Sequence, residues 1–366
     1  MTRVSTIAQS ARSIHFARCA SILGVVVCAQ VLLCSLPSLA TPPPKLPPLV
    51  TPQIDTAIQK ALKYLATRQG SDGALRETGH MGSYPVSMTA LSGMAFASSG
   101  STPTQGPYAP NIRRAMTYIL RSTQKNGLIC RTGDEETRSM YGHGFSMLFL
   151  AEMMGMEEDI DRLSEVKYAL QRGVDLIARS QSNLGGWLYT PDMNGDEGSV
   201  TITQVQALRA SRNAGIAVPK TVVDRAMKYL ENSIQPDGGI AYRVGMSGSR
   251  PPITAAAVAC WFNAGQYDNP LALNALRYCK QNIGIGDRRG GTWGHWFYAH
   301  LYLSQVMYLA GENDWKDYYP KVSAHLLATQ EDDGAWEGDG VGKIYGTAVA
   351  LIILQLPYNT LPIMQR

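Results

Sequence analysis

No aspartate or glutamate occurs before Asp55, and charged residues make up only 17% of the 366-residue chain, against roughly 25% in an ordinary soluble domain. Basic residues number 33 and acidic ones 29; without Arg3, Arg12 and Arg18 near the start, the balance falls from +4 to +1. A chain so nearly neutral has no basic field to steer it toward nucleic acid. Cysteine is also scarce. Beyond residue 40 only Cys130, Cys260 and Cys279 remain, an odd number with no paired spacing, which argues against a disulfide scaffold. There is no Ser-His-Asp set, no glycine-rich phosphate loop and no Cys-x-x-Cys pair. Nor does any stretch keep period-two alternation between turn signals, which disfavours a strand-based fold. No cofactor or metal is implied.

The acid-free start has the form of an export signal. Three arginines precede an apolar run from Cys19 to Leu36, and "PSLA" follows with Ser38 and Ala40 small at the positions a signal peptidase reads. Residues 1–40 are therefore expected to be removed, leaving a periplasmic or secreted protein. The competing expectation is a retained membrane anchor, since the apolar run is close to the ~20 residues that span a bilayer. "TPPPKLPPLVTP", residues 41–52, reads as a stiff polyproline linker.

What the remainder has is a repeated turn. "RQGSDGAL", "TQKNGLI", "SQSNLGGWLY", "IQPDGGIAY", "KQNIGIGDRRGGTW" and "TQEDDGAW" each carry a glutamine ahead of a glycine-containing turn. The glutamines are Gln69, Gln124, Gln181, Gln235, Gln281 and Gln330, separated by 55, 57, 54, 46 and 49 residues. Six copies of one loop point to architecture. Asp332, Asp333 and Gly334, the most acidic copy, read as a turn in which glycine takes a positive φ. Each glutamine closes an amphipathic segment; in "IDTAIQKALKYLATRQ" the set Ile54, Ile58, Ala61, Leu62 and Leu65 falls on one helical face. A second helix of smaller, less charged residues follows each loop, stopping at Gly100, Gly155, Gly215, Gly265, Gly311 and Pro357. A helix that is apolar all round is buried on both sides. Six amphipathic and six buried helices predict an all-α domain over 53–366, an α/α toroid of six hairpins in two concentric rings. An open solenoid is the competitor.

The succession of helix, Q-x-x-D/N-G-x-W/L turn and helix resembles the QW motif, the prenyltransferase and squalene oxidase repeat of terpenoid cyclases and protein prenyltransferase β subunits. The resemblance covers roughly Pro52 to Gln365 and implies the α/α toroid. It further implies that the loop glutamine ties helix termini over a buried aromatic ring, as at Trp187 and Trp336. The catalytic signatures of that superfamily are missing. The stretch corresponding to the Asp-x-Asp-Asp of squalene–hopene-type cyclases is "GDEGSVTITQ", where Asp196 matches the first acid but Gly198 and Ser199 replace the acidic pair. Protonating an isolated alkene needs a strong, positioned acid, and serine is not one. The Asp-x-Cys of the zinc-binding prenyltransferases is absent as well.

In a toroid the turns feed the N-terminal ends of the inner helices, so polar residues there are the site candidates. Tyr141 and His143 in "YGHGF" are the foremost, His143 as a functional imidazole. The expected ligand pocket adds Thr201, Gln204 and Arg250, then Trp296, Tyr298, His300 and Tyr345. Ser and Thr at these positions also cap helices, and Gln, His and Tyr also satisfy buried backbone. His295 and His300 are five apart, about 140° around a helix, so they do not chelate one ion from one face. "DMNGDEGS" echoes a calcium loop without its sixth-position glycine or closing glutamate. The leading functional expectation is an exported toroid binding an isoprenoid or other apolar molecule, serving a protein or peripheral-membrane partner. The alternatives are a carbohydrate-active toroid (polysaccharide lyase or glycosidase), which the scarcity of inner-helix acids disfavours, and a cyclase or transferase with a non-standard acid.

Overall fold

The computed structural model describes residues 45–131, 133–286 and 294–365; the expected signal, residues 1–40, and the start of the linker lie outside them. From Leu46 onward the chain is one compact unit. Its long helices, in order, are α1 (Pro52–Arg68), α2 (Pro85–Ser98), α3 (Ala109–Arg121), α4 (Ser139–Met154), α5 (Ile160–Arg179) and α6 (Gly198–Asn213). Then come α7 (Lys220–Asn232), α8 (Pro251–Asn263), α9 (Pro270–Asn282), α10 (Trp296–Ala310), α11 (Glu312–Thr329) and α12 (Lys343–Leu354). Odd-numbered helices form the outer ring and even-numbered ones the inner. A single helical turn at Gly133–Glu136, two short 3-10 turns near the C-terminus and a two-stranded β1 (Thr78–Gly79)–β2 (Gly82–Ser83) hairpin complete the description.

The two rings follow from composition. In α1 the buried positions, including Ile54, Ile58, Ala61, Leu62 and Leu65, fall on one face, and Thr51 caps the helix through the N–H of Ile54. In α8 every residue from Pro251 to Asn263 is buried. Small residues let the inner helices approach. A Cβ on Gly93 of α2 would stand 2.5 Å from the Phe149 ring of α4, and one on Gly144 would stand 2.5 Å from Thr203 of α6. Val50 is already buried and Leu46 packs on the core, so contact with the body begins within the proline-rich segment.

Around the inner ring α2 packs on α4, α4 on α6, α6 on α8, α8 on α10 and α10 on α12; α12 then returns to α2. Each inner helix is backed by the outer helix that follows it, and α12 is backed by α1. That last contact closes the ring and rules out the open solenoid. Gln330 marks the seam, its Nε2 donating to Gly334 O in its own turn and to Ala57 O in α1. Gln69 and Gln181 do the same, reaching Asn111 O in α3 and Val222 O in α7. Gln124 and Gln235 bond only inside their own loops, and Gln281 is an exposed residue of α9 rather than a turn anchor. Among the described residues, the turn glycines Gly73, Gly127, Gly185, Gly238 and Gly334 all have positive φ and fit only as glycine. Gly185 has φ +100°, and a Cβ there would lie 2.3 Å from Arg225 O in the next outer helix. Asp333 accepts the N–H of Ala335 two residues on, so the acids are turn chemistry. Trp187 and Trp336 are fully buried, their indole N–H groups donating to Ile177 O and Leu326 O near the ends of α5 and α11.

The end of the ring opposite the turns is closed by the C-terminal segment. Thr360 donates to Ser98 O, Gln305 donates to Ile363 O, and the N–H of Ile363 donates to the buried Glu152 carboxyl. Met364 joins Met94, Leu148, Gln206, Leu301 and Ile352, from five inner helices, around a small void of about 20 Å³ on the ring axis.

Candidate functional site

At the other end, where the inner helices begin, the ring holds a cavity of about 500 Å³. Six tyrosines line it: Tyr84, Tyr141, Tyr189, Tyr242, Tyr298 and Tyr345. Met88, Leu91, Phe145, Pro252 and Ile253 supply aliphatic and aromatic wall, and Arg138, Arg250, His295 and Asp339 are the groups of ionisable type other than tyrosine. Burial holds the hydroxyls of Tyr141, Tyr298 and Tyr345 well above the usual phenol range, the Glu197 charge adding to the effect at Tyr141.

A polar cluster sits at the start of α6. Glu197 is the N-cap, fully buried, its carboxylate accepting the N–H groups of Ser199 (2.9 Å) and Val200 (2.6 Å). The Ser199 hydroxyl donates to the same carboxylate at 2.8 Å, and Tyr141 contacts both, 2.5 Å from Ser199 Oγ and 3.3 Å from Glu197 Oε1. Burial pushes the Glu197 carboxyl up; the N–H groups of Val200 and Ser199 and the two hydroxyls pull it back. Ser199 and Tyr141 carry this cluster to the cavity surface. Asp196, the match to the first motif acid, instead accepts from Ser182 in the loop behind. Across the mouth, the Tyr189 and Tyr242 hydroxyls are hydrogen-bonded to each other.

Most of the other acids near the mouth are committed to helix ends, where orphan N–H groups and the positive end of the dipole favour carboxylate. Glu135 accepts the N–H of Val86 in α2, and burial pushes its carboxyl up to about 7. Asp339 accepts those of Trp296 and Phe297 in α10, and Glu77 that of Ile344 in α12. With Glu197 on α6, four of the six inner helices start against a carboxylate. Arg138 and Arg250 stand at the N-caps of α4 and α8 and provide no side-chain cap there.

Of the expected pocket residues, Tyr141, Arg250, Tyr298 and Tyr345 line the cavity. Five others face elsewhere, and helix periodicity gives the reason for four of them. Two positions along a helix is a turn of about 200°. His143 is two from Tyr141, Thr201 two from Ser199, and Trp296 and His300 each two from Tyr298, so they point away from the axis. His143 Nδ1 accepts the N–H of Ile129 in its own repeat's loop, and burial pushes the imidazole down to about 4. Thr201 Oγ1 accepts the N–H of Trp187. His300 bonds the Tyr318 hydroxyl of α11 at 2.7 Å, and burial pushes it down to about 3. Trp296 packs in tilted contact with the His300 and His325 rings and donates to Ile285 O. The fifth, Gln204, points sideways, donating to Met140 O of α4 and Val200 O. His143, Thr201, Gln204, Trp296 and His300 are thus ties between ring elements.

The residues missing from the sequence reading are Glu197, Arg138, Tyr189, Tyr242, His295 and Asp339. The two loop tyrosines had a signal: each is the fifth residue from the first glycine in "GGWLY" and "GGIAY". In the calcium-like stretch, Asp192 is bonded by Asn194 while Asp196 faces Ser182, so the acids do not converge. Among the described residues no group of three or more His, Cys, Asp and Glu side chains is placed to hold a metal, and no helix is long and apolar enough to cross a membrane.

No family model matches the chain. Among curated proteins it is 25% identical over 196 residues to drimenyl diphosphate synthase of Streptomyces showdoensis, a match spanning 54% of this chain and 34% of that enzyme. It therefore spans about a third of the relative it matches. Among solved structures, the type II terpene cyclase MstE from Scytonema superposes with a TM-score of 0.57 at 14% identity, covering 84% of this chain and 99% of that one. A complex of an MstE variant with its substrate, geranylgeranyl dihydroxybenzoate, gives 0.55 at 16% identity over 84% and 98%. A glycosidase in complex with glucose gives 0.58 at 12% identity over 85% and 98%. At such identities the likeness is one of fold: this chain is a terpenoid-cyclase-like α/α toroid, an architecture that glycosidases share.

Proposed function

We propose that this toroid binds an isoprenoid in its central cavity. The observation that carries the reading is the wall itself: six tyrosines and an aliphatic floor around 500 Å³, with neighbouring carboxylates largely turned into helix caps. Tyrosine rings offer large apolar faces with few rotatable bonds, which suits an alkene chain. The similarity to a drimenyl diphosphate synthase and the geranylgeranyl compound bound by MstE support an isoprenoid over other apolar molecules. A sugar hydrolase needs two carboxyl groups facing its substrate, and Asp339, which lines the mouth, spends its carboxylate on Trp296 and Phe297. Export, with cleavage after Ala40, belongs to the same proposal; it would place the toroid where apolar molecules need a carrier.

Farnesol and geranylgeraniol should raise the melting temperature through preferential binding to the folded state. Ser87→Trp, which adds bulk at a half-exposed position of the cavity wall, should abolish the rise while leaving the unliganded melting temperature nearly unchanged. Stabilisation by glucose oligomers and none by isoprenoids would replace this reading with the carbohydrate one. A second reading keeps one specific observation, the buried Glu197 beside Ser199 and Tyr141, one residue from the missing acid pair. In it Glu197 is a non-standard proton donor acting through Tyr141, and the protein is a cyclase.

A further inference from the structure

We propose that the groove between the outer helices α3 and α5 docks an extended acidic peptide segment of a protein partner, one that carries carboxylates beside an apolar side chain. The proposal concerns the outer wall and stands independently of what the central cavity holds. The groove encloses about 760 Å³, more than the tyrosine-lined cavity.

It opens where a tie of the ring is missing. Gln69, Gln181 and Gln330 each donate across a seam to a carbonyl of the next outer helix, at Asn111, Val222 and Ala57. In each case that acceptor lies three residues before the carbonyl that the turn glycine approaches, at Arg114, Arg225 and Lys60. Gly127 approaches Arg172 O in the same way, so the counterpart acceptor for Gln124 is Ala169 O. Gln124 donates instead to Cys130 O, 3.3 Å away in its own loop. Both Gln124 and Ala169 line the groove. A seam that three other repeats stitch shut is here left open.

The lining is lopsided in charge. Arg121, Lys125, Arg162 and Arg172 stand against one acid, Glu165, in a chain that is nearly neutral beyond residue 40. Arg162 is partly matched, donating to Thr117 and lying 3.9 Å from the buried Glu157 carboxylate. Arg172 donates to the Tyr168 hydroxyl, its guanidinium carbon 5.4 Å from the centre of that ring. A guanidinium laid over a ring keeps edge donors in the fork that pairs with carboxylate. Arg121 and Lys125 are exposed. Positive charge therefore gathers at the turn end of the groove, the arrangement that recognises acidic motifs.

Shape and composition select the occupant. The two helices run side by side in one direction, Thr117 bonded to Arg162 at one end and Gly127 against Arg172 O at the other. Ten residues of helix span ~15 Å, which an extended chain covers in about four to five residues. The floor is recessed, with Ala169 buried and Leu120 and Gln124 half-buried, so a flat membrane surface meets only the rim. Glu165 lies between Arg162 and Arg172 along α5, and Leu120, Ala169 and Tyr168 supply apolar surface beside it. A polymer charged at every unit, such as an acidic glycan, would set a carboxylate against Glu165. A peptide can alternate, with acids for Arg121, Lys125 and Arg172 and a hydrophobic side chain for Leu120 and the exposed Tyr168 ring.

The test is fluorescence anisotropy of the labelled peptide Asp-Glu-Phe-Glu-Asp with the purified protein. It should bind at least about tenfold tighter than Asn-Gln-Phe-Gln-Asn and than Asp-Glu-Ala-Glu-Asp, and weaken as salt rises. Arg121→Glu combined with Lys125→Glu, both at exposed positions, should abolish binding with the melting temperature unchanged. Lys63→Glu combined with Lys228→Glu, an equal change of charge at exposed positions on α1 and α7, should leave binding intact. No saturable binding up to about 1 mM peptide, or binding that survives the Arg121 and Lys125 reversal, overturns the site. Equal affinity for the Phe and Ala peptides, with tighter binding of polygalacturonate lost in the same double variant, overturns the peptide in favour of an acidic glycan. Binding of phosphatidylglycerol vesicles through the same pair, with no peptide binding, overturns it in favour of a membrane surface.

Discussion

Replacing His143 by threonine separates a structural tie from a catalytic imidazole. In four other repeats a threonine hydroxyl accepts the same loop N–H: Thr89 from Leu75 at 2.9 Å, Thr201 from Trp187 at 3.0 Å, Thr254 from Ile240 at 2.9 Å and Thr347 from Trp336 at 3.1 Å. His143 fills that role for Ile129 at 3.2 Å, and its Nδ1 must stay unprotonated to accept. Its pKa drops from the ordinary 6.5 to about 4 on folding. The unfolded chain therefore binds the proton first, and the stabilisation present above pH 6.5 is lost as pH falls toward 4. At 1.36 kcal/mol per pH unit the whole effect is about 3 kcal/mol, of which about 2 kcal/mol is gone by pH 5. Glu135 and Glu152, each pushed by burial from 4.5 up to about 7, act with the opposite sign and regain stability over the same window. The wild-type protein can thus show little net pH dependence, and the comparison of variant with wild type is what reads the histidine. At pH 7 His143→Thr should cost roughly 1–3 kcal/mol in lost packing. By pH 5 the gap should close by about 2 kcal/mol. Urea unfolding at both pH values, with matched slopes, measures it. A gap that stays constant, or a variant that unfolds outright at pH 7, would refute the assignment.

Further outcomes follow from other ties. Trp336→Ala empties a fully buried position and deletes the bond to Leu326 O, so it should cost about 3–5 kcal/mol by the same unfolding assay. Thr201→Val keeps the volume but strands the N–H of Trp187; a loss of about 1–3 kcal/mol is expected, and none would show that the hydroxyl bond is immaterial. Incubation with squalene should give no cyclised product above a no-protein control. Product that disappears in Glu197→Gln would instead promote Glu197 to catalytic acid. The exported protein should begin at Thr41 by N-terminal sequencing, and a fractionated protein beginning at Met1 would overturn cleavage.

The fold was legible because it is written six times. Apolar periodicity in segments such as Ile54–Leu65, small-residue runs such as Ala255–Ala257 and the Gln–Gly turns each recur, and recurrence averages away local ambiguity. Closure was readable only as an expectation, since the decisive packing of α12 on α2 and α1 joins residues some 250 to 300 positions apart. The site was harder. His143 and His300 attracted attention as chemistry-bearing side chains, yet each occupies the position that is Thr89, Thr201, Thr254 or Thr347 in the other repeats. Aligning the repeats against one another would have exposed both as ties. The residues that do face the axis lie two positions away, a 200° rotation that a list of polar residues at a helix start does not resolve. Arg138, Tyr189 and Asp339 come from loops whose direction is set by tertiary contact, and Glu197 was hidden because the motif comparison treats its position as unconstrained.

The C-terminal strap over the far end of the ring, anchored at Ser98, Gln305 and Glu152, makes the bore a blind well. Whatever enters by the tyrosine mouth must leave by it. A polymer cannot be threaded through.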